Sequence, residues 1–143
     1  MTDPLRKLDR YQDWALLGLR LAVAAVFMYH GHQKWALWGA EPSAQMGEGM
    51  LYLMRFLSVV EPLGGLALAL GFLTRWAGLG FAIIMLGAIH TKVSVWGIGF
   101  ASSKGTGWEF DLVLLAAALL LMAAGAGRLA LDRVLMPSSQ PKS

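Results

Sequence analysis

Apolar residues fall in four long runs separated by short polar breaks, and this pattern predicts four transmembrane helices. The spans are expected at about 14–35, 56–73, 76–96 and 108–124. Tryptophans stand near five of their ends, at Trp14, Trp35, Trp76, Trp96 and Trp108, as in an interfacial aromatic belt. Arg20, Glu61 and His90 interrupt the first three runs, while Glu109 and Asp111 open the fourth. Thr2-Asp3-Pro4 has the form of a helix start, and Leu5, Leu8 and Tyr11 alternate with Arg6, Lys7 and Arg10. Residues 1–13 are therefore expected to form an amphipathic segment on the membrane surface. Residues 14–127 are expected to form the four-span domain and 128–143 a cytoplasmic tail, with disorder expected from Pro137. The expected fold class is all-α, a four-helix transmembrane bundle.

The connections differ in character. Thr74-Arg75 is a tight turn. Residues 36–55 carry the breakers Glu41-Pro42, Gly47 and Gly49, after which Met50, Leu51, Leu53 and Met54 are compatible with helix ahead of the second span. Residues 97–107 read as a flexible loop. Small residues at i, i+4, Gly78/Ala82 and Ala67/Gly71, permit close helix contacts, either within the bundle or between subunits. His30…Lys34-Trp35 before Glu61, and His90…Lys92…Trp96 before Glu109, form an echo that duplication of a helical hairpin would produce.

Composition supports a lipid environment. Hydrophobic residues are 57% of 143 positions, and charged residues are 15%, too few to coat four helices in water. The net charge of +3 is scattered among connections and ends, so it reads as membrane topology rather than nucleic-acid binding. Seven Lys/Arg (Arg6, Lys7, Arg10, Arg75, Arg128, Arg133, Lys142) lie on one side and four (Lys34, Arg55, Lys92, Lys104) on the other. Both termini are thus expected in the cytoplasm of a multi-pass cell-membrane protein. The first run contains Arg20 and lacks a small-residue cleavage site, so it is expected to be a retained helix. No cysteine is present, which excludes disulfides, thiol nucleophiles and cysteine-held clusters.

Given that topology, His30, Glu61 and His90 fall in one layer about 8 Å below the external interface, at 1.5 Å per residue. Lys34, Lys92, Glu109 and Asp111 lie slightly above it. Ionisable groups facing lipid are costly, so the layer is expected to face inward and to form a polar pocket open to the outer leaflet. The competing reading is a structural network in which Glu61 pairs with Lys34 or Lys92. His32, two residues from His30, diverges from it on a helix. Arg20 lies near the opposite boundary, where Asp132 is its expected structural ion-pair partner.

The chain resembles the DoxX family of small membrane proteins over roughly residues 16–132. The motifs are Leu19-Arg20-Leu21, His30-Gly31-His32-Gln33-Lys34, Glu61-Pro62-Leu63-Gly64-Gly65 and Gly71-Phe72-Leu73-Thr74-Arg75, followed by Gly107-Trp108-Glu109, Gly125-Ala126-Gly127-Arg128 and Asp132. Ala130 stands where the family usually has serine, so the resemblance implies one polar contact fewer near Asp132. The resemblance implies a four-helix membrane bundle associated with respiratory or stress-related redox systems. The family name comes from a subunit of a thiosulfate:quinone oxidoreductase, and other members are linked to quinone or catechol stress.

The functional expectation is a quinone- or quinol-interacting redox protein or subunit. His30, Glu61 and His90 are its catalytic candidates; Glu109, Asp111 and Lys34 form a proton relay; Phe27, Tyr29 and Trp108 pack the ring. A b-type haem between His30 and His90 is a disfavoured variant, and no metal site is expected. The alternatives are a non-catalytic anchor or assembly subunit for a soluble oxidoreductase, and, with less support, a small-molecule transporter. The implied partners are the bilayer, quinone, an oxidoreductase and further copies of the chain.

Overall fold

The computed structural model describes residues 4–103 and 105–135, with side-chain surroundings from Leu8 onward. Lys104, Lys142 and the tail from Pro137 lie outside the described residues, as do the side chains of Leu5, Arg6 and Lys7. The chain is all-helical: α1 is Gln12–Gln33, α2 Glu48–Leu70, α3 Thr74–His90, α4 Trp108–Ala124 and α5 the short Leu131–Leu135. A 3₁₀ segment, Pro4–Tyr11, leads into α1, and a second one, Lys34–Gly39, follows it. A π-turn, Thr91–Val95, extends α3.

Three of these stretches, Leu8–Gly39, Glu48–Leu70 and Thr74–Val95, are long and apolar enough to cross a membrane. With 17 residues, α4 rises only about 25 Å, slightly less than the hydrocarbon core of about 30 Å. The outward faces are apolar, with Trp76 71%, Val113 67%, Leu63 62% and Ile83 61% exposed, a surface suited to lipid rather than water. The second helix begins at Glu48, well before the expected 56, so the helical stretch anticipated around Met50 is continuous with the span.

The helices form two tight hairpins, α1 with α2 and α3 with α4. Glycine sets the approach in each. A Cβ on Gly65 would meet the Ala24 carbonyl at 3.0 Å, and one on Gly78 would meet the Ala118 carbonyl and the Met122 nitrogen at 2.8 Å. The small-residue contact expected at Gly78 is thus within the bundle. Between the hairpins, Phe27 of α1 stacks on Phe81 of α3 with ring centroids 3.6 Å apart and planes 12° from parallel. Val23, Leu68, Ala82, Met85, Leu114 and Leu121 complete this dry centre.

The end that carries both described chain ends is closed by polar contacts. Arg20, 1% exposed, sends Nε to the Leu68 carbonyl (3.1 Å), one terminal nitrogen to Ala126 and the other to Leu129 (2.9 Å) and Ala69 (3.5 Å). The ion pair expected between Arg20 and Asp132 is not formed. Asp132 instead accepts the Leu73 and Thr74 amides at 2.6 and 2.9 Å, satisfying donors at the start of α3 that have no helical partner. Arg20 instead reaches carbonyls at the end of α2 and in the segment between α4 and α5. Gly71 (φ +67°) and Leu73 (φ +49°) turn the chain between α2 and α3, and Ala130 presses directly on Gly71. Arg75 donates to the Met122 carbonyl (2.9 Å) and to that of Ala123, at the end of α4.

Candidate functional site

Pro62 explains much of the opposite, loop-bearing end. It sits inside α2, where its missing N–H leaves the Ser58 carbonyl, four residues back, without its helical donor. The Trp35 indole fills that vacancy, with Nε1 donating to the Ser58 carbonyl at 2.8 Å. Trp38 Nε1 donates to Ser58 Oγ at 2.9 Å, and Ser58 Oγ donates to the Arg55 carbonyl at 2.6 Å. Arg55 in turn holds the 3₁₀ segment by its Leu37 and Ala40 carbonyls, at 3.0 and 2.8 Å. The Pro62 ring lies against Gly31, where a side chain would collide with it. Two tryptophans are thus fixed upright beside α2. Between them and Ser58, Val59, Pro62 and Leu63 runs an open groove of about 550 Å³. Trp35 and Trp38 stay 55% and 58% exposed, so the groove opens to the bundle's outer surface.

Behind the groove, Lys34 Nζ meets Glu61 Oε2 at 2.5 Å and donates to the His30 carbonyl at 3.3 Å. Glu61 is 3% exposed. The second hairpin repeats this arrangement: Lys92, in the π-turn after α3, meets Asp111 of α4 at 2.6 Å and donates to the Gly107 carbonyl at 3.2 Å. Each hairpin therefore closes with a lysine beyond its first helix and a buried carboxylate in its second. Both pairs hold carboxylates away from lipid, where unpaired charge is expensive. His30, half-buried, stands between them, 6.0 Å from the Phe110 ring, within electrostatic reach of Lys34, Asp111 and Lys92.

The structure sorts the residues expected to form the site. His30, Lys34, Glu61 and Asp111 are brought together. His90 is not: it is exposed, with Nδ1 3.5 Å from Ser94 Oγ. The cause is helical phase. His30 precedes Lys34 by four residues and shares its face, whereas His90 precedes Lys92 by two and points elsewhere. In the register of the lysines, the counterpart of His30 is Ala88. His90 therefore offers no inward ligand for a haem shared with His30.

The proposed ring-packing aromatics also separate. Phe27 is consumed in the stack on Phe81, and Tyr29 is 62% exposed, edge-on to His30. Trp108 packs edge-on to Phe100, 4.6 Å away, at the start of α4. There the 97–107 loop folds back, the Gly99 and Phe100 carbonyls accepting the Trp108 and Glu109 amides at 3.4 and 3.1 Å. Glu109 Oε2 is buried beneath this loop without a hydrogen-bond partner among the described residues. Trp35, expected as an interfacial marker, and Trp38, for which no role is expected, are the aromatics that form a groove. Their signal was present: a proline in α2 requires a donor from elsewhere.

The DoxX family model matches residues 15–97, which include most of α1, the tryptophan segment, α2, α3 and the π-turn. CatD of Bacillus subtilis (strain 168), whose name assigns it provisionally to the oxidoreductases, is 32% identical over 118 residues, covering 80% of this chain and 81% of that protein. No solved structure matches. The match spans most of both chains and contains the glycine, proline and lysine–glutamate positions that build the first hairpin, so this membrane protein belongs to the DoxX family.

Proposed function

We propose that the chain is a quinone- or quinol-interacting redox protein, or the membrane subunit of a redox complex, with its site at the loop-bearing end of the bundle. The observation that carries the reading is the groove between Trp35, Trp38 and Pro62, backed by the buried Lys34–Glu61 pair. A quinone ring is flat, apolar on its faces and polar at two carbonyls. Indole walls suit the faces, and an opening toward lipid suits a ligand that arrives from the leaflet. Reduction of a quinone to quinol takes up two electrons and two protons. In this reading the electrons come from a partner oxidoreductase, and the cysteine-free chain itself binds no thiolate-held cluster. Glu61 and Lys34 are the groups nearest the groove able to hold or release a proton, with His30 and Asp111 behind them. The membrane is the cell membrane, α4 is the fourth span, and both termini face the cytoplasm.

One observation favours a second reading, a non-catalytic anchor for a soluble oxidoreductase: the Lys34–Glu61 and Lys92–Asp111 pairs balance their charges without a ligand. The test is an oxidised-minus-reduced spectrum of the protein purified in mild detergent, with quinone assayed in its lipid extract. Stoichiometric quinone, lost in Trp38→Ala while the protein remains folded, supports the quinone site. Absence of quinone, with Glu61→Gln reducing partner recovery rather than turnover, moves the assignment to the anchor.

A further inference from the structure

At the end opposite the tryptophan groove, a separate polar cleft of about 400 Å³ is lined by Arg10, Asp13, Trp14, Arg128, Leu129 and Arg133. It lies where the N-terminal segment enters α1 and where the chain leaves α4, so residues distant in sequence converge on it. Three guanidinium groups border this small space against a single carboxylate. Asp13 is itself engaged: its Oδ1 accepts the Arg128 amide at 2.8 Å, and its Oδ2 lies 3.8 Å from Arg128 Nε. Among the described residues, neither Arg10 nor Arg133 forms an ion pair; the Arg10 guanidinium rests over the Tyr11 ring at 4.8 Å. The cleft thus keeps an excess of two positive charges.

Its surroundings say what kind of anion fits. Trp14, 62% exposed, and Leu129, 40% exposed, form an apolar rim, and Trp14 opens the first membrane-crossing helix. Indole at that level marks the boundary between headgroups and acyl chains. Guanidinium forks match phosphate oxygens in pairs, and a basic pocket at the headgroup level is a recurring form of anionic-lipid recognition. Free phosphate would use the arginines but gain nothing from the apolar rim. We infer that this cleft binds the phosphate headgroup of one anionic phospholipid, with Arg10 and Arg133 supplying the free guanidinium groups and Trp14 and Leu129 seating the start of the acyl chains. The Arg128 amide, donated to Asp13 at 2.8 Å, fixes that carboxylate and with it the shape of the cleft.

The experiment is native mass spectrometry of the full chain released from nanodiscs of phosphatidylglycerol mixed equally with phosphatidylcholine. One phosphatidylglycerol retained per chain is expected, with at least a tenfold preference over phosphatidylcholine. Arg10→Gln/Arg133→Gln should remove that preference while size-exclusion elution and helical content stay unchanged; both residues are exposed, so folding should tolerate the change. Arg10→Lys/Arg133→Lys should keep part of it. A random distribution of lipid adducts on the wild type would overturn the inference, as would full retention by the glutamine variant. Displacement of the lipid by inorganic phosphate at equal concentration would overturn the lipid assignment and leave a simple anion site.

Discussion

A buried arginine can be held by one opposite charge or by several weaker acceptors, and Arg20 takes the second course. Its guanidinium spans the Leu68 and Ala69 carbonyls of α2 and the Ala126 and Leu129 carbonyls beyond α4. Arg20→Leu would take the side-chain donor from the Ala69, Ala126 and Leu129 carbonyls in a place water reaches poorly, at roughly 1–3 kcal/mol per unsatisfied group, while Leu68 keeps the Gly71 amide at 3.0 Å. We expect a loss of about 3 kcal/mol or more, measured by unfolding in mixed detergent. Arg20→Lys should recover only part of it, because a single ammonium lacks the planar fork that reaches two helices at once. The Lys34–Glu61 pair should behave differently. Lys34→Met strands a buried carboxylate and is expected to destabilise by about 3 kcal/mol. Lys34→Met/Glu61→Leu, which removes both charges, should restore most of that. Full recovery of stability without recovery of quinone binding would separate a site residue from a merely structural one.

At the scale of elements, glycine and proline decide how the helices meet. Gly78→Ala places a methyl group 2.8 Å from backbone atoms of α4, so the α3–α4 hairpin must open, at a cost of about 1–3 kcal/mol. Pro62→Ala acts in the other sense. It restores the α2 amide to the Ser58 carbonyl, which then no longer needs the Trp35 indole. Helix stability should hold or rise, while tryptophan emission shifts to the red and anisotropy falls as Trp35 loosens. An unchanged spectrum would mean that the indole is held by packing alone. Much of this level was legible in the sequence. The fourth helix runs from Trp108 to Ala124, as its apolar run predicts, and Glu61 pairs with Lys34, one of the two lysines expected just above its layer. Depth, however, is read from position along a helix, and facing is read from phase. His90 has the right depth and the wrong phase, and Phe27 the right chemistry but a partner on another helix. Depth alone pairs Asp132 with Arg20, whereas the otherwise unsatisfied amides at Leu73 and Thr74 claim it. Such competition among acceptors becomes visible only when all the helix ends are assembled.

Those assembled ends also determine the topology of the whole molecule. Asp13, before the apolar part of α1, accepts the Arg128 amide, and Asp132 accepts the amides that begin α3. Arg75 meanwhile binds the last carbonyls of α4. The start of α1, the α2–α3 turn and the end of α4 therefore lie at one end of the bundle. The 36–47 connection and the 97–107 loop belong to the other, where the two lysine–carboxylate pairs stand. This holds although α4, at 17 residues, is short for a span, because it lies alongside α3 over its length. With α4 as the proposed fourth span, the number of crossings is even. The absence of native cysteine makes the test direct, since each single-cysteine variant reports one position. In intact cells, Ala44→Cys and Ser103→Cys should react with a membrane-impermeant maleimide, whereas Phe72→Cys and Ser138→Cys should react only after lysis. Opposite behaviour of all four would invert the orientation and place the tryptophan groove in the cytoplasmic leaflet. Reaction of Ser138→Cys in intact cells with Phe72→Cys still protected would mean three crossings. That outcome is incompatible with Asp132 capping α3, so it would overturn the polar closure of this end along with the topology.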